Sequence, residues 1–351
     1  MAAACLQVLL VEDQESNIVA WCDRSAAHNS DAEAKGFSVV NSFAKSVTEA
    51  KSILENQRID AVVVDLRLEG ATGRTEPNDH GNALIEYVRQ AHPVAMAIHS
   101  GQSQEAEVEN CPQVEIFDRG DGLEPVFEWL GRQLSMLAQL RSTQRAFDRE
   151  TARVFFGSIW PRWTNWTTGI GAESSEGLGA ALTRHVIAHV HDSLLDAGGG
   201  VAHAEETYFI PPLKSRLDTG DLINRGTNGL WIVLTPRCDL ATGKSDTLLL
   251  ARCESIREEW LNASPKAQKK ISQHNGEAKR HFLPELVDHT GKPQGPWMVK
   301  FHDLRTADLD MAKTGFASKR FASLAPQFVP SLVERFGAYF SRIGTPNLSS
   351  E

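Results

Sequence analysis

Residues 60–70, Asp-Ala-Val-Val-Val-Asp-Leu-Arg-Leu-Glu-Gly, constrain the fold more than any other stretch. An acid leads into four apolar residues, and the run closes on Asp65. A short apolar run without alternation reads as a strand buried on both faces of a parallel sheet. Asp65 then stands at the C-terminal edge of that strand, the edge where open α/β sheets bind ligands. A lone aspartate at such a place caps the next turn. Membership of a site requires partners from other strand ends.

The chain before and after supplies them. Gln7–Val11 reads as a first strand ending in Glu12-Asp13, followed by helical spacing over residues 15–28. Residues 37–40 form a second strand. Ser46-Val-Thr-Glu49 opens a helix as a capping box, with Ala50, Ile53 and Leu54 inward. After the strand at 61–64 come a polar loop, Gly70 to His80, and a helix from Gly81 to Gln90. Val94–Ile98 is a fourth strand ending His99-Ser100-Gly101, and Val114–Phe117 a fifth ending Asp118-Arg119-Gly120. This alternation predicts a doubly wound five-stranded parallel sheet, an α/β fold of the flavodoxin-like kind.

In a parallel sheet the strand tips share one edge. Glu12, Asp13 and Asp65 crowded there repel, and a hard divalent cation such as Mg²⁺ relieves them. Ser100 and Arg119 add a hydroxyl and a positive charge, which suit a phosphoryl group.

This constellation resembles the receiver domain of two-component response regulators. The likeness covers about the first third of the chain. It rests on Glu12-Asp13, on the run ending Asp65-Leu-Arg-Leu, on the helix start at Gly81, on Ser100-Gly101 and on residues 116–119. It implies that Asp65 accepts a phosphoryl group from a histidine kinase. Glu12, Asp13, Asp65 and the backbone carbonyl of Arg67 hold Mg²⁺ by the same likeness, and Ser100 binds the phosphoryl group. The sequence departs from the family where Arg119 replaces the fifth-strand lysine and Gly120 the following proline. Arginine keeps the charge but is larger and planar. Residues 101–113 are too short and too polar for a full fourth helix.

The rest divides by composition. With 351 residues, 41% hydrophobic and 23% charged, the chain is of the soluble globular class and long enough for two domains or more. The boundaries read as a receiver domain over 1–130, a helical connector over 131–204 and an α+β domain over 205–351. The formal charge of -9 argues against broad nucleic-acid or anionic-membrane affinity. Five scattered cysteines without a CxxC fit reduced thiols. No signal-peptide pattern or membrane-length apolar run is read, so a cytoplasmic location is expected.

The connector reads as one long helix from Leu123 with apolar residues three and four apart, then Trp160, Trp163 and Trp166 near Phe155 and Phe156. Such a stripe is core or a homodimer interface. A second helix, 176–196, carries His185, His189 and His191, but the spacing lacks the further ligands a metal site needs. Gly198–Gly200 ends it as a hinge.

Beyond residue 205 short strands predominate, at 220–223, 230–235, 248–253, 281–284 and 297–302, arranged as a small barrel or meander. Residues 254–280 read as helical, as do 324–340. Thr235-Pro-Arg-Cys238-Asp239-Leu resembles a (S/T)xxCDL motif of uncharacterised bacterial proteins. A nucleophilic Cys238 with His281 or His302 as base and Asp239 as orienter is the chemical reading; a buried thiol and a turn-capping acid is the plainer one. The lysine-rich stretch at 266–270 reads as a solvated face.

The expected function is a two-component signalling protein. By resemblance, it serves as a regulator or a phosphoryl sink in a bacterial phage-defence phosphorelay. The alternatives are a pseudo-receiver scaffold that never takes up phosphate and a receiver-regulated hydrolase using Cys238.

Overall fold

The structure, a computed structural model, describes residues 3–68, 79–108, 111, 113–168, 175–197, 202–288 and 290–342. The loop 70–80 lies mostly outside the described residues, as does the glycine hinge at 198–200. The chain forms two compact units, Met1–Ser193 and Leu194–Glu351.

The first unit is built on a five-stranded, all-parallel sheet. Its strands are β1 (Ala4–Val11), β2 (Phe37–Ala44), β3 (Ala61–Val64), β4 (Ala95–Ser100) and β5 (Glu115–Asp118), in the order β2-β1-β3-β4-β5. That is the flavodoxin-like order, with its switch point between β1 and β3. Helices α1 (Glu15–Ser30), α2 (Ala32–Lys35), α3 (Val47–Asn56), α4 (Asp79–Ala91) and α5 (Glu124–Val154) accompany the strands. The period of two explains why β3 is apolar throughout. Ala61 and Val63 join Leu6, Val8, Trp21 and Phe127 on one face of the sheet. Val62 and Val64 join Leu9, Val11, Leu54 and Leu84 on the other. No residue of β3 faces water, so none can be polar.

Ser46 caps α3 as read, its Oγ accepting from the Glu49 amide at 3.2 Å. The Glu49 carboxylate reaches back one residue further than a capping box requires, to the amide of Lys45 at 2.8 Å. Between β4 and β5 the described residues hold one short 3₁₀ turn, Ser103–Glu105, where a receiver-like chain would carry its fourth helix. Ala106, Val108 and Cys111 cover the sheet there instead.

Helix α5 runs for 31 residues. Val126, Phe127, Trp129, Leu130 and Leu137 bury its first half against the sheet. The chain then widens through a π-helical turn at Phe155–Ile159 and tightens through a 3₁₀ turn at Trp160–Arg162 into α6 (Trp163–Thr168), and α7 (Ser175–Ala197) follows. Phe156 and Trp160 are 62% and 58% exposed, which removes the core reading of the aromatic stripe.

The second unit holds a seven-stranded antiparallel sheet and a separate two-stranded one. Its elements are β6 (Tyr208–Phe209), β7 (Asp221–Asn224), β8 (Leu230–Val233), α8 (Arg237–Thr242), β9 (Thr247–Ser255), α9 (Arg257–Asn262), α10 (Pro265–Ser272), β10 (Arg280–Leu283), β11 (Leu286–Val287), β12 (Pro293–Gln294), β13 (Trp297–Asp308), α11 (Leu309–Gly315), β14 (Arg320–Leu324) and α12 (Val329–Phe340). The order β10-β13-β9-β8-β7-β14-β6 contains the expected meander of β7, β8 and β9. With its helices it is an α+β domain. The helical stretch at 254–280 is two short helices, because Ser264 caps a new one at Pro265. The last helix starts at Val329 instead of Leu324, since Pro330 is tolerated only in a first helical turn, and Arg320–Leu324 is a strand.

Candidate functional site

The register sets the predicted strand tips side by side. Val11 of β1 pairs with Val64 of β3, Val64 with Ile98 of β4, and Ser100 with Asp118 of β5. The residues that follow therefore meet on one edge. Oxygens of Glu12, Asp13 and Asp65 lie within 4.8 Å of one another. Glu12 and Asp65 are each only 3% exposed. Main-chain bonds fix their approach, from the Glu12 amide to the Ala44 carbonyl and from the Asp65 amide to the Val11 carbonyl, both 2.9 Å.

Arg119 closes the edge. It stands in a turn, Arg119–Asp121, held by the Asp118 carboxylate accepting from the Gly120 amide at 2.7 Å. Its Nη2 lies 2.7 Å from Glu12 Oε2 and 3.0 Å from Asp65 Oδ2. Glu12 Oε1 accepts from the Gln14 amide at 3.1 Å. Asp65 Oδ1 is buried and accepts no hydrogen bond. Burial chiefly, and then the Asp65 charge, raise the proton affinity of Glu12; Asn17, the Gln14 amide and Arg119 oppose this. His99, beside Asp65 in the sheet, is held below its ordinary value by burial and by Arg119, so it is neutral at pH 7. Ser100 is 1% exposed, and its Oγ accepts from the Gln102 amide at 3.3 Å. Arg67 lies two residues past Asp65 with its side chain outward.

Gly81 has a role that the spacing alone does not reveal. A Cβ there would stand 2.6 Å from Leu66 Cα and 2.9 Å from the Asp65 carbonyl oxygen. Helix α4 therefore rests directly on the backbone that carries Asp65, an approach only glycine permits.

At the opposite edge of the sheet, Asp60 is met by Arg141 of α5. Nε donates to Asp60 Oδ1 at 2.5 Å, Nη2 donates to Oδ2, and Nη2 also donates to the Cys5 carbonyl at 2.6 Å. Asp60 Oδ2 accepts the Gln7 amide as well, at 2.6 Å. The sequence singled out Asp60 only as the acid preceding a strand, and no local signal marks Arg141.

The predicted residues of the second unit do not assemble. Cys238 is exposed on α8, and its thiol donates to Asp239 Oδ1 at 3.5 Å. Strand β10, which carries His281, is separated from β8 by β9 and β13. His281 aligns through Val299 and Cys253 with Leu230, at the far end of β8 from α8. It is buried and stacks on His274, ring centroids 4.9 Å apart. His302 is exposed in the bulge of β13 between Lys300 and Leu304. Among the described residues no hydrogen bond joins Cys238 to a histidine, the pairing that a nucleophilic thiol was expected to use. In the first unit the rings of His185 and His189 lie 4.5 Å apart, and His185 Nε2 meets Ser158 Oγ at 3.2 Å. Among the described residues the three acids at 12, 13 and 65 are the one cluster with metal-ligand spacing.

No protein-family model matches this chain, and no curated protein does. Among solved structures the N-terminal part is similar to receiver domains. The non-phosphorylated HemR receiver domain of Leptospira biflexa is 21% identical, covering 36% of this chain and 92% of that one, with a TM-score of 0.28. The receiver domain of an HD domain-containing protein from Pseudomonas fluorescens Pf-5 is 19% identical, covering 37% and 98%, with a TM-score of 0.28. TrrA of Thermotoga maritima, solved with Mg²⁺ and BeF, is 14% identical, covering 36% and 97%, with a TM-score of 0.26. The flavodoxin-like fold of the first unit is established by its own strand order and register.

Proposed function

We propose that this chain is a two-component signalling protein that accepts a phosphoryl group on Asp65 from a histidine kinase. The observation that carries this reading is the Asp65 carboxylate itself. One oxygen is held by Arg119 and the other is buried without a hydrogen bond, between two further acids, at the ligand-binding edge of the sheet.

The step is a displacement at phosphorus. Asp65 Oδ1 forms the new bond as the phosphorus–nitrogen bond to the donor imidazole breaks, and the imidazole leaves with the electron pair. Ser100 donates to a phosphoryl oxygen, and Arg119 supplies positive charge. Glu12, Asp13 and Asp65, with the Arg67 carbonyl, form an all-oxygen set that fits Mg²⁺, which when bound neutralises charge on the phosphoryl oxygens. No helix among the described residues is long and apolar enough to cross a membrane, and we place the protein in the cytoplasm with its kinase. The exposed aromatic side chains of the connector serve as a contact with a second copy. A regulator or phosphoryl sink in a phage-defence phosphorelay is the role we assign to the whole chain.

A second reading is a pseudo-receiver scaffold. It is favoured by Arg119, which already neutralises Asp65 and Glu12. Incubation of the full chain with Mg²⁺ and acetyl phosphate, followed by intact mass, separates the two. Wild type gains one phosphoryl group and Asp65→Ala gains none. An unchanged wild-type mass, under conditions that modify a control receiver, sinks phosphoryl acceptance. A gain that survives Asp65→Ala sinks the site.

A further inference from the structure

We propose that Arg119 is the resident cation of the acidic edge, and that a divalent ion must displace it from Glu12 and Asp65 to bind. This rests on the reading of Glu12, Asp13 and Asp65 as metal ligands.

A single nitrogen, Nη2, reaches both Glu12 Oε2 and Asp65 Oδ2. It therefore stands between two of the three carboxylates that a metal would need. Two cations on the same oxygens repel, and Mg²⁺ demands near-octahedral geometry at short distance. The guanidinium and the ion are thus competitors, each satisfying the same buried charge.

The turn that carries Arg119 is built for such an exchange. Its backbone is pinned independently of the side chain. Asp118 accepts from the Gly120 amide, and its other oxygen accepts from Ser103 Oγ at 3.1 Å. The Arg119 side chain is 27% exposed, whereas Glu12 and Asp65 are buried. The guanidinium can swing towards water with no movement of β5, and the acids cannot follow it. An arginine that leaves its carboxylates in this way stays within reach of a phosphoryl group on Asp65, so metal entry frees the counter-charge that the acceptor then uses.

The test is Mg²⁺ titration by calorimetry of full-length wild type, Arg119→Gln and Arg119→Ala, with the Mg²⁺-induced rise in melting temperature as a second readout. Gln keeps a donor for the two acids, which guards against loss of folding in the Ala variant. Removing the competing charge lowers the Mg²⁺ Kd by roughly tenfold or more in both variants, with a larger melting shift than in wild type. Asp13→Asn abolishes binding in every background. Equal or weaker binding in both Arg119 variants, with Asp13→Asn still abolishing it, overturns the competition and leaves the metal site standing. Absence of Mg²⁺ binding in all forms overturns both.

Discussion

Replacing Arg141 with Ala tests how α5 is held to the first unit. Between Leu137 and Val154 no side chain of α5 is buried, so this arm has little apolar packing to fix it. Besides the exposed pair of Asp148 with Arg58, its anchor is the bidentate pair with Asp60, whose side chain is 10% exposed against 31% for Arg141. Removing one partner of a fully buried pair costs about 3–5 kcal/mol, because the other charge stays behind. Partial exposure of Arg141 and the remaining bond from the Gln7 amide bring the estimate to about 2–3 kcal/mol. Since the chain has two units, a single unfolding midpoint is a poor measure, and hydrogen exchange by peptide is the better assay. Protection in residues 138–153 and at the start of β3 should fall roughly 25- to 150-fold, at about 1.4 kcal/mol per tenfold. Asp60→Asn in the same background should then cost little more, giving a coupling near 2 kcal/mol. Exchange within about twofold of wild type in both segments would refute the clamp.

Gly81→Ala should destabilise the first unit by about 1–3 kcal/mol, as overpacking against the Leu66 backbone does, and should cut phosphoryl uptake by Asp65, read by melting and intact mass. His281 is pushed down from 6.5 to about 3 by burial, with His274 and Arg335 adding to it. The unfolded chain therefore binds its proton first, so stability is full above pH 6.5 and falls as pH drops towards about 3. At about pH 5 the loss from this residue is about 2 kcal/mol, and His281→Phe should flatten the acid limb measured by exchange in β10 and β13. Phe156→Ser with Trp160→Ser should reduce self-association in light scattering, and a wild type that is monomeric at every concentration would refute the connector contact.

The sequence was most legible where one residue's environment decides its type. A strand buried on both faces must be apolar, and its polar tips then declare the edge, so Glu12, Asp13, Asp65, Ser100 and Arg119 could be placed together before any coordinates. What Arg119 holds was not legible, because strand ends give an edge and not the path of a long side chain. Asp60 and Arg141 lie 81 residues apart, and neither carries a local pattern. In the second unit the strands read at 230–235 and 248–253 stand at 230–233 and 247–255, but β14 carried no strand reading, and only its last residue, Leu324, fell in the segment read as helix. The bulge at Phe301–Asp303 likewise has no local signal; it appears only in the pairing of β13 with β9.

The strand that constrains the fold also explains where a signal from Asp65 would be felt. Strand β3 has four residues, all buried, with an aspartate immediately before it and another immediately after. A buried carboxylate needs a counter-charge, and neighbouring strands buried on both faces offer none. Both arginines come instead from the segment that follows β5: Arg119 just before α5 meets Asp65, and Arg141 within α5 meets Asp60. Between them Val126, Phe127, Leu130 and Leu137 hold the helix to the sheet. Charge added at Asp65 changes the first tie and leaves the second unaltered. On the proposed reading, the change therefore enters at the start of α5, which leads into the connector. Among its described residues, the region between β4 and β5 holds one short turn and shows no comparable tie to either aspartate.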